Sequence, residues 1–151
     1  LLIHDEVMSG GGRLGHLFGG RNWPDAAPDI VAMSKGLGAG YVPLGAVVAR
    51  GDLVDAVLAA GGFAHGFTYA GNPLACAAGL AVVEEIERQG MMANALSVGD
   101  LLAGRLRALM DRFAFVGDVR GMGLLLALEL VADRVTRAPL PPGLRAFDRL
   151  T

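Results

Sequence analysis

Lysine is nearly absent from this 151-residue chain: of 13 basic residues, 12 are arginine and one, Lys35, is lysine. The single cysteine, Cys76, excludes an internal disulfide and fits a reducing, cytoplasmic setting. There is no basic run, and the net charge is −2 at pH 7, so the chain carries no electrostatic footprint for nucleic acid. The longest apolar run, MGLLLALELV (122–131), contains Glu129 and falls well short of the roughly 20 residues needed to cross a bilayer. His4, His16 and His65 are too scattered to spell a metal motif, and no metal site is expected.

Apolar side chains, by contrast, make up 53% of the chain. A mean hydropathy of +0.47 is high for a soluble chain of this size, and points to a buried partner surface or to a piece of something larger. The chain opens on Leu1 inside an apolar strand pattern and closes on RAFDRLT inside a helical one, so the expectation is a segment truncated at both ends.

LLIHDEV reads as a buried parallel strand whose C-terminal end presents Asp5 and Glu6. A Gly- and Pro-rich loop follows to residue 28, long enough to be functional or part of an interface. DIVAMS is a second strand, KGLGAGYVP a turn, and LGAVVAR a third strand, antiparallel to the second. GDLVDAVLAA is a helix, and GFAHGFTYAGN a second irregular loop. Asn72 caps the next helix, with Pro73 at its first position, and that helix runs to Gly90. A further helix covers 92–113, with Leu101, Leu102, Leu106, Leu109 and Met110 on its buried side. Strands at 115–119 and 123–131 flank a Gly-rich turn, and a helix begins after Pro141-Pro142. This order describes an α/β domain passing into a smaller α+β one, divided as residues 1–90 and 91–151.

Lysine can do what arginine cannot: lose its proton and attack a carbonyl to form a Schiff base. Lys35 follows an apolar strand and precedes Gly36, Gly38 and Gly40, a turn that lets a bulky planar group approach the backbone. Ligands of open α/β sheets bind at the carboxyl ends of strands, and Asp5 stands at that end of the preceding strand. An amine and a carboxylate over one crevice match the needs of pyridoxal phosphate. The amine holds the aldehyde as an imine, and the carboxylate keeps the pyridine nitrogen protonated.

LLIHDEVMSGGGRLGHLF, PDIVAMSKGLGAGYVPLGAVVAR and HGFTYAGNPLACAAGLAVVEEIE together resemble the core of the class III, omega-type aminotransferases, pyridoxal-phosphate enzymes of fold type I. The resemblance continues through VRGMGLLLALEL. It implies part of the mixed-sheet large domain plus the start of the small α+β C-terminal domain. It implies further that Lys35 carries the internal aldimine and shuttles a proton, that Asp5 pairs with the ring nitrogen, and that Val7 packs on the ring face. Thr68 would bind the cofactor phosphate in the partner subunit's site, making a homodimer with shared sites. The implied reaction moves an amino group between an amine or omega-amino acid and a keto acid, with pyruvate as the expected acceptor. An aminomutase, a decarboxylase and racemases share the same Lys and Asp. The sequence departs from the family at Gly11 and Leu14, which replace an aromatic and a threonine. The Gly-Ser-rich phosphate loop, the ring-stacking aromatic and the substrate-binding arginine of the family are not found, so the segment alone is expected to be inactive.

Gly10, Gly12 and Gly15 also spell G-x-G-x-x-G, the dinucleotide fingerprint, but Pro24 and the lack of a helical face after them argue for coincidence. LLIHDE resembles the acidic strand of a nucleotide hydrolase, yet no G-x-x-x-x-G-K-[ST] loop accompanies it. A remnant that dimerises without catalysis is the third reading. Cys76 is expected to be a small core residue of its helix. Arg120 is expected to be structural.

Overall fold

The computed structural model describes residues 1–144; the expected helix after Pro141-Pro142 lies largely outside the described residues. The chain is mixed α/β and divides into two compact units, Leu1–Ala95 and Leu96–Thr151.

The first unit is built on a three-stranded sheet in the order β1 (Ile3–Asp5), β2 (Ile30–Met33), β3 (Ala46–Ala49). β1 and β2 are parallel, with Asp5 opposite Ala32; β2 and β3 are antiparallel, with Val31 opposite Val48. Strand alternation puts His4, Val31 and Met33 on one face, where Val31 and Met33 are buried. The other face, with Ile3, Asp5 and Val47, is open. β1 is thus not buried on both faces as its apolar run suggested: Ile3 is 60% exposed because nothing among the described residues covers that side. Asp29 ties the ends of the sheet together, accepting from the Leu2 amide at 2.7 Å and from Arg50 at 2.6 Å. The Leu2 amide and then the Arg50 guanidinium hold its carboxyl below the usual aspartate value.

Helix α1 (Gly51–Ala59) follows β3, and α2 (Pro73–Arg88) begins as expected at Asn72, whose Oδ1 accepts from the amides of Leu74 and Ala75. The buried side of α2 is Gly79 and Ile86, and a Cβ on Gly79 would meet the Leu44 side chain at 2.4 Å. Cys76 is exposed rather than in the core.

Helix α3 (Met91–Arg112) runs from the first unit into the second. Its buried positions are not the expected leucines. Ala95, Gly99 and Ala103, spaced by four, are buried, whereas Leu101 is 56% exposed. At Gly99 the physical reason is close backbone packing: a Cβ there would fall 2.2 Å from the carbonyl oxygen of Gly123, in the hairpin turn joining β4 (Val116–Met122) to β5 (Leu125–Asp133). Only residues without bulk let helix and turn approach so closely. β6 (Ala138–Pro139) adds a short third strand beside β5 that the sequence reading missed. Arg134 binds the carbonyls of Met110, Phe113 and Val116, satisfying the end of α3 and the start of the hairpin. Arg120 pairs with Asp118 and Glu129 across β4 and β5, a structural role.

Candidate active site

Lys35 begins a single 3-10 turn, Lys35–Leu37, directly after β2. The turn is closed by the Leu37 amide on the Ser34 carbonyl at 2.8 Å, and Ser34 Oγ reaches the Leu44 carbonyl at 2.9 Å. Lys35 itself has φ +34°, left-handed territory that costs an L-residue with a Cβ energy and that surrounding structure must impose. The side chain is exposed, as is that of Asp5.

Asp5 ends β1 on the open face of the sheet. Its Oδ1 accepts from the Val7 amide at 3.0 Å. Because Asp5 is registered on Ala32 in a parallel ladder, and Lys35 lies just past the end of β2, the amine and the carboxylate leave neighbouring strands at the same carboxyl edge. Val7 lies beyond the end of β1, in the turn whose amide holds Asp5, so strand alternation does not determine the side it takes. Thr68 is exposed in the segment before α2 and makes no hydrogen bond among the described residues; that segment also exposes Phe63, Phe67 and Tyr69.

Glu6, which the sequence reading noted only as an acid at the strand end, is the one buried charged side chain among the described residues. Its two oxygens accept from the amides of Gly19 and Gly20 at 2.6 and 2.8 Å. Its alternation with Asp5 was visible in the sequence; that the acid would be satisfied by backbone amides of a distant loop was not. Gly10, Gly12 and Gly15 lie in turns and open no helix, which removes the dinucleotide reading. A cavity of about 390 Å³, lined by Glu6, Phe18, Trp23, Val31 and Val48 among others, sits on the face opposite Asp5 and includes neither Asp5 nor Lys35. No cluster of His, Cys, Asp or Glu suited to a metal ion occurs among the described residues, and no helix there is long and apolar enough to cross a membrane.

The fold is an α/β segment in which Asp5 and the turn that begins at Lys35 stand at the carboxyl ends of two neighbouring parallel strands. The model of the family "Aminotransferase class-III" matches residues 1–146, and the chain belongs to that family. Alanine–glyoxylate aminotransferase 2, mitochondrial, of Homo sapiens is 42% identical over 139 residues, which cover 92% of this chain and 26% of that protein. Acetylornithine aminotransferase 1 of Bordetella bronchiseptica is 47% identical over 133 residues, 86% of this chain and 32% of that protein. The crystal structure of an amine transaminase from an uncultivated Pseudomonas species, in its PLP-bound form, superposes with a TM-score of 0.89 at 47% identity, covering 95% of this chain and 33% of that one. The chain thus spans about a third or less of the length of the relatives it matches.

Proposed function

We propose that the protein containing this chain is a pyridoxal-phosphate-dependent aminotransferase, transferring an amino group between an amine or omega-amino acid and a keto acid, with pyruvate the expected acceptor. The observation that carries the reading is the registration of Asp5 on the strand that delivers Lys35, which sets amine and carboxylate at one edge. Family membership, and relatives named as transaminases, support transamination over amino-group migration, decarboxylation or racemisation. Residues 1–90 are read as part of the cofactor-binding large domain and 91–151 as the start of the small one.

The residues present fit the cofactor. The sheet face that carries Asp5 is open, and Ala32, registered opposite Asp5, is small, which leaves room for a flat ring. When bound, pyridoxal phosphate supplies an aldehyde for covalent capture of amines and a ring that accepts electrons from a carbanion. Lys35 Nζ would be the amine that holds its aldehyde, and would carry the proton to and from the substrate carbon. The Asp5 carboxylate would hold a proton at the ring nitrogen. Val7 would pack against the ring, and Thr68 would help hold the phosphate in the partner subunit's site. A homodimer with shared sites is supported by the exposed Phe63, Phe67 and Tyr69 around Thr68, an apolar surface suited to an interface. A cytoplasmic location is supported by the lone free cysteine, although one relative is named as mitochondrial.

The test is made on the full-length protein. Lys35→Arg should abolish the visible absorbance of bound cofactor and all turnover while leaving the circular dichroism unchanged. Normal turnover by Lys35→Arg overturns the assignment. Asp5→Ala should bind cofactor poorly and lose most activity, and unchanged kinetics would refute the ring-nitrogen pairing.

A further inference from the structure

We propose that Glu6 is a positioning residue that holds the Lys35 turn in its strained conformation, acting through the loop between β1 and β2; the proposal rests on the reading of Lys35 above. A buried carboxylate is unfavourable unless fully satisfied, and nothing in the transamination chemistry uses this one. Glu6 is instead a junction of four hydrogen bonds. Its amide donates to the Ala32 carbonyl at 2.8 Å, continuing the β1–β2 ladder, and its carbonyl accepts from the Gly10 amide at 2.9 Å. Its carboxylate takes the Gly19 and Gly20 amides, folding the loop back onto the strand end.

The loop so closed reaches the lysine. The Gly11 amide donates to the Leu17 carbonyl at 2.9 Å, and Gly11, at φ +72°, lies against Gly36, the residue after Lys35. A Cβ on Gly11 would stand 3.2 Å from Gly36 Cα, and one on Gly36 would stand 3.4 Å from the Gly10 carbonyl oxygen. The contact is backbone on backbone, with no side chain to absorb a shift. Lys35 holds φ +34° beside it, a conformation that persists only where its surroundings insist on it. The Glu6 clamp, the loop and Gly36 form one side of those surroundings, the Ser34–Leu44 hydrogen bond another, and releasing the clamp lets the lysine stem relax away from the direction the chemistry needs.

The experiment uses the full-length protein loaded with pyridoxal phosphate and three variants. Glu6→Gln keeps shape but turns an amide NH₂ toward one of the two donors. Gly20→Ala attacks the same clamp from the other side, its methyl meeting His4 Nδ1 at 2.5 Å and Glu6 Oε1 at 3.1 Å. Gly11→Ala disturbs the loop's contact with Gly36. Readouts are kcat and KM for the amine, the pH midpoint of the visible band of the bound cofactor, and the melting temperature. Glu6→Gln should lower kcat by about tenfold or more with KM within about twofold, as expected for a reacting group displaced by a fraction of an ångström. It should also move the pH midpoint by about half a unit or more, with Gly20→Ala moving it the same way. In the Glu6→Gln/Gly11→Ala double variant the two midpoint shifts should fail to add, because both act through one contact. The proposal is overturned if Glu6→Gln and Gly20→Ala both keep the parental midpoint, whatever happens to the melting temperature, or if the double variant is additive. Should Glu6→Gln not fold, Gly20→Ala with Gly11→Ala decides by the same criteria. Loss of the visible band in Lys35→Arg, measured alongside, tests the reading of Lys35 separately from that of Glu6.

Discussion

Two glycines of α3 should respond with opposite sign to the same substitution. Gly104 lies in the helix interior, is exposed, and has nothing within 4 Å of where a Cβ would sit. Alanine there gains only helix propensity, so Gly104→Ala should stabilise by about 1 kcal/mol. Gly99 would gain the same propensity, but its Cβ would lie 2.2, 2.4 and 2.7 Å from O, C and Cα of Gly123. Real Cβ contacts do not fall below 3.0 Å, and the atoms met are backbone, so no rotamer can yield. Helix and hairpin must separate by most of an ångström, opening contacts on both sides of the methyl. Overpacking costs about 1–3 kcal/mol, and an immovable backbone puts this case at the upper end. Set against about 1 kcal/mol of propensity, Gly99→Ala should destabilise by about 2 kcal/mol, so the two variants should differ by about 3 kcal/mol. Urea unfolding of the full-length protein, followed by far-ultraviolet circular dichroism at unchanged denaturant slope, reads both midpoints directly. Equal effects, or a Gly99→Ala protein as stable as its parent, would show that the close approach of α3 to Gly123 does not exist.

Three further outcomes are expected. Asn72→Ala should cost about 1 kcal/mol and speed amide exchange at Leu74 and Ala75, while Asn72→Asp stays near parental; unchanged exchange contradicts the cap. Arg134→Met should cost about 1–3 kcal/mol by freeing the carbonyls of Met110, Phe113 and Val116, and Arg134→Lys should recover little because an ammonium lacks the fork; full recovery by lysine would point to charge alone. Asp29, Glu85, Asp118 and Asp133 titrate below their ordinary values, held down by bonds from the Leu2 amide, Arg88, Arg120 and the Thr136 amide respectively. Their folded values lie below their unfolded ones, so they stabilise the fold above 3.8 for the aspartates and 4.5 for Glu85, and that contribution is lost as pH falls through the folded values. Urea midpoints should therefore drop on acidification below about pH 4, and Asp29→Asn should flatten that drop; a parent whose midpoint is level across this range contradicts the assignment.

What could be read in the sequence was whatever is decided within a few residues. The order of strands and helices, the Asn72-Pro73 helix start, the antiparallel return of β3 and the candidacy of Lys35 all follow from local period, capping chemistry and a glycine-rich turn. The family resemblance rests on the same local motifs. Only tertiary structure decided which side of each element is covered. The leucines of α3 have the stronger apolar signal, yet Ala95, Gly99 and Ala103 are the buried positions, and at Gly99 helix and hairpin meet backbone to backbone. Cys76 looks like core by composition and is exposed. Asp5 and Glu6 are adjacent acids with no local difference between them. Pleating sends one to the open face of the sheet and the other into the interior, where two glycine amides from a distant loop make its burial tolerable.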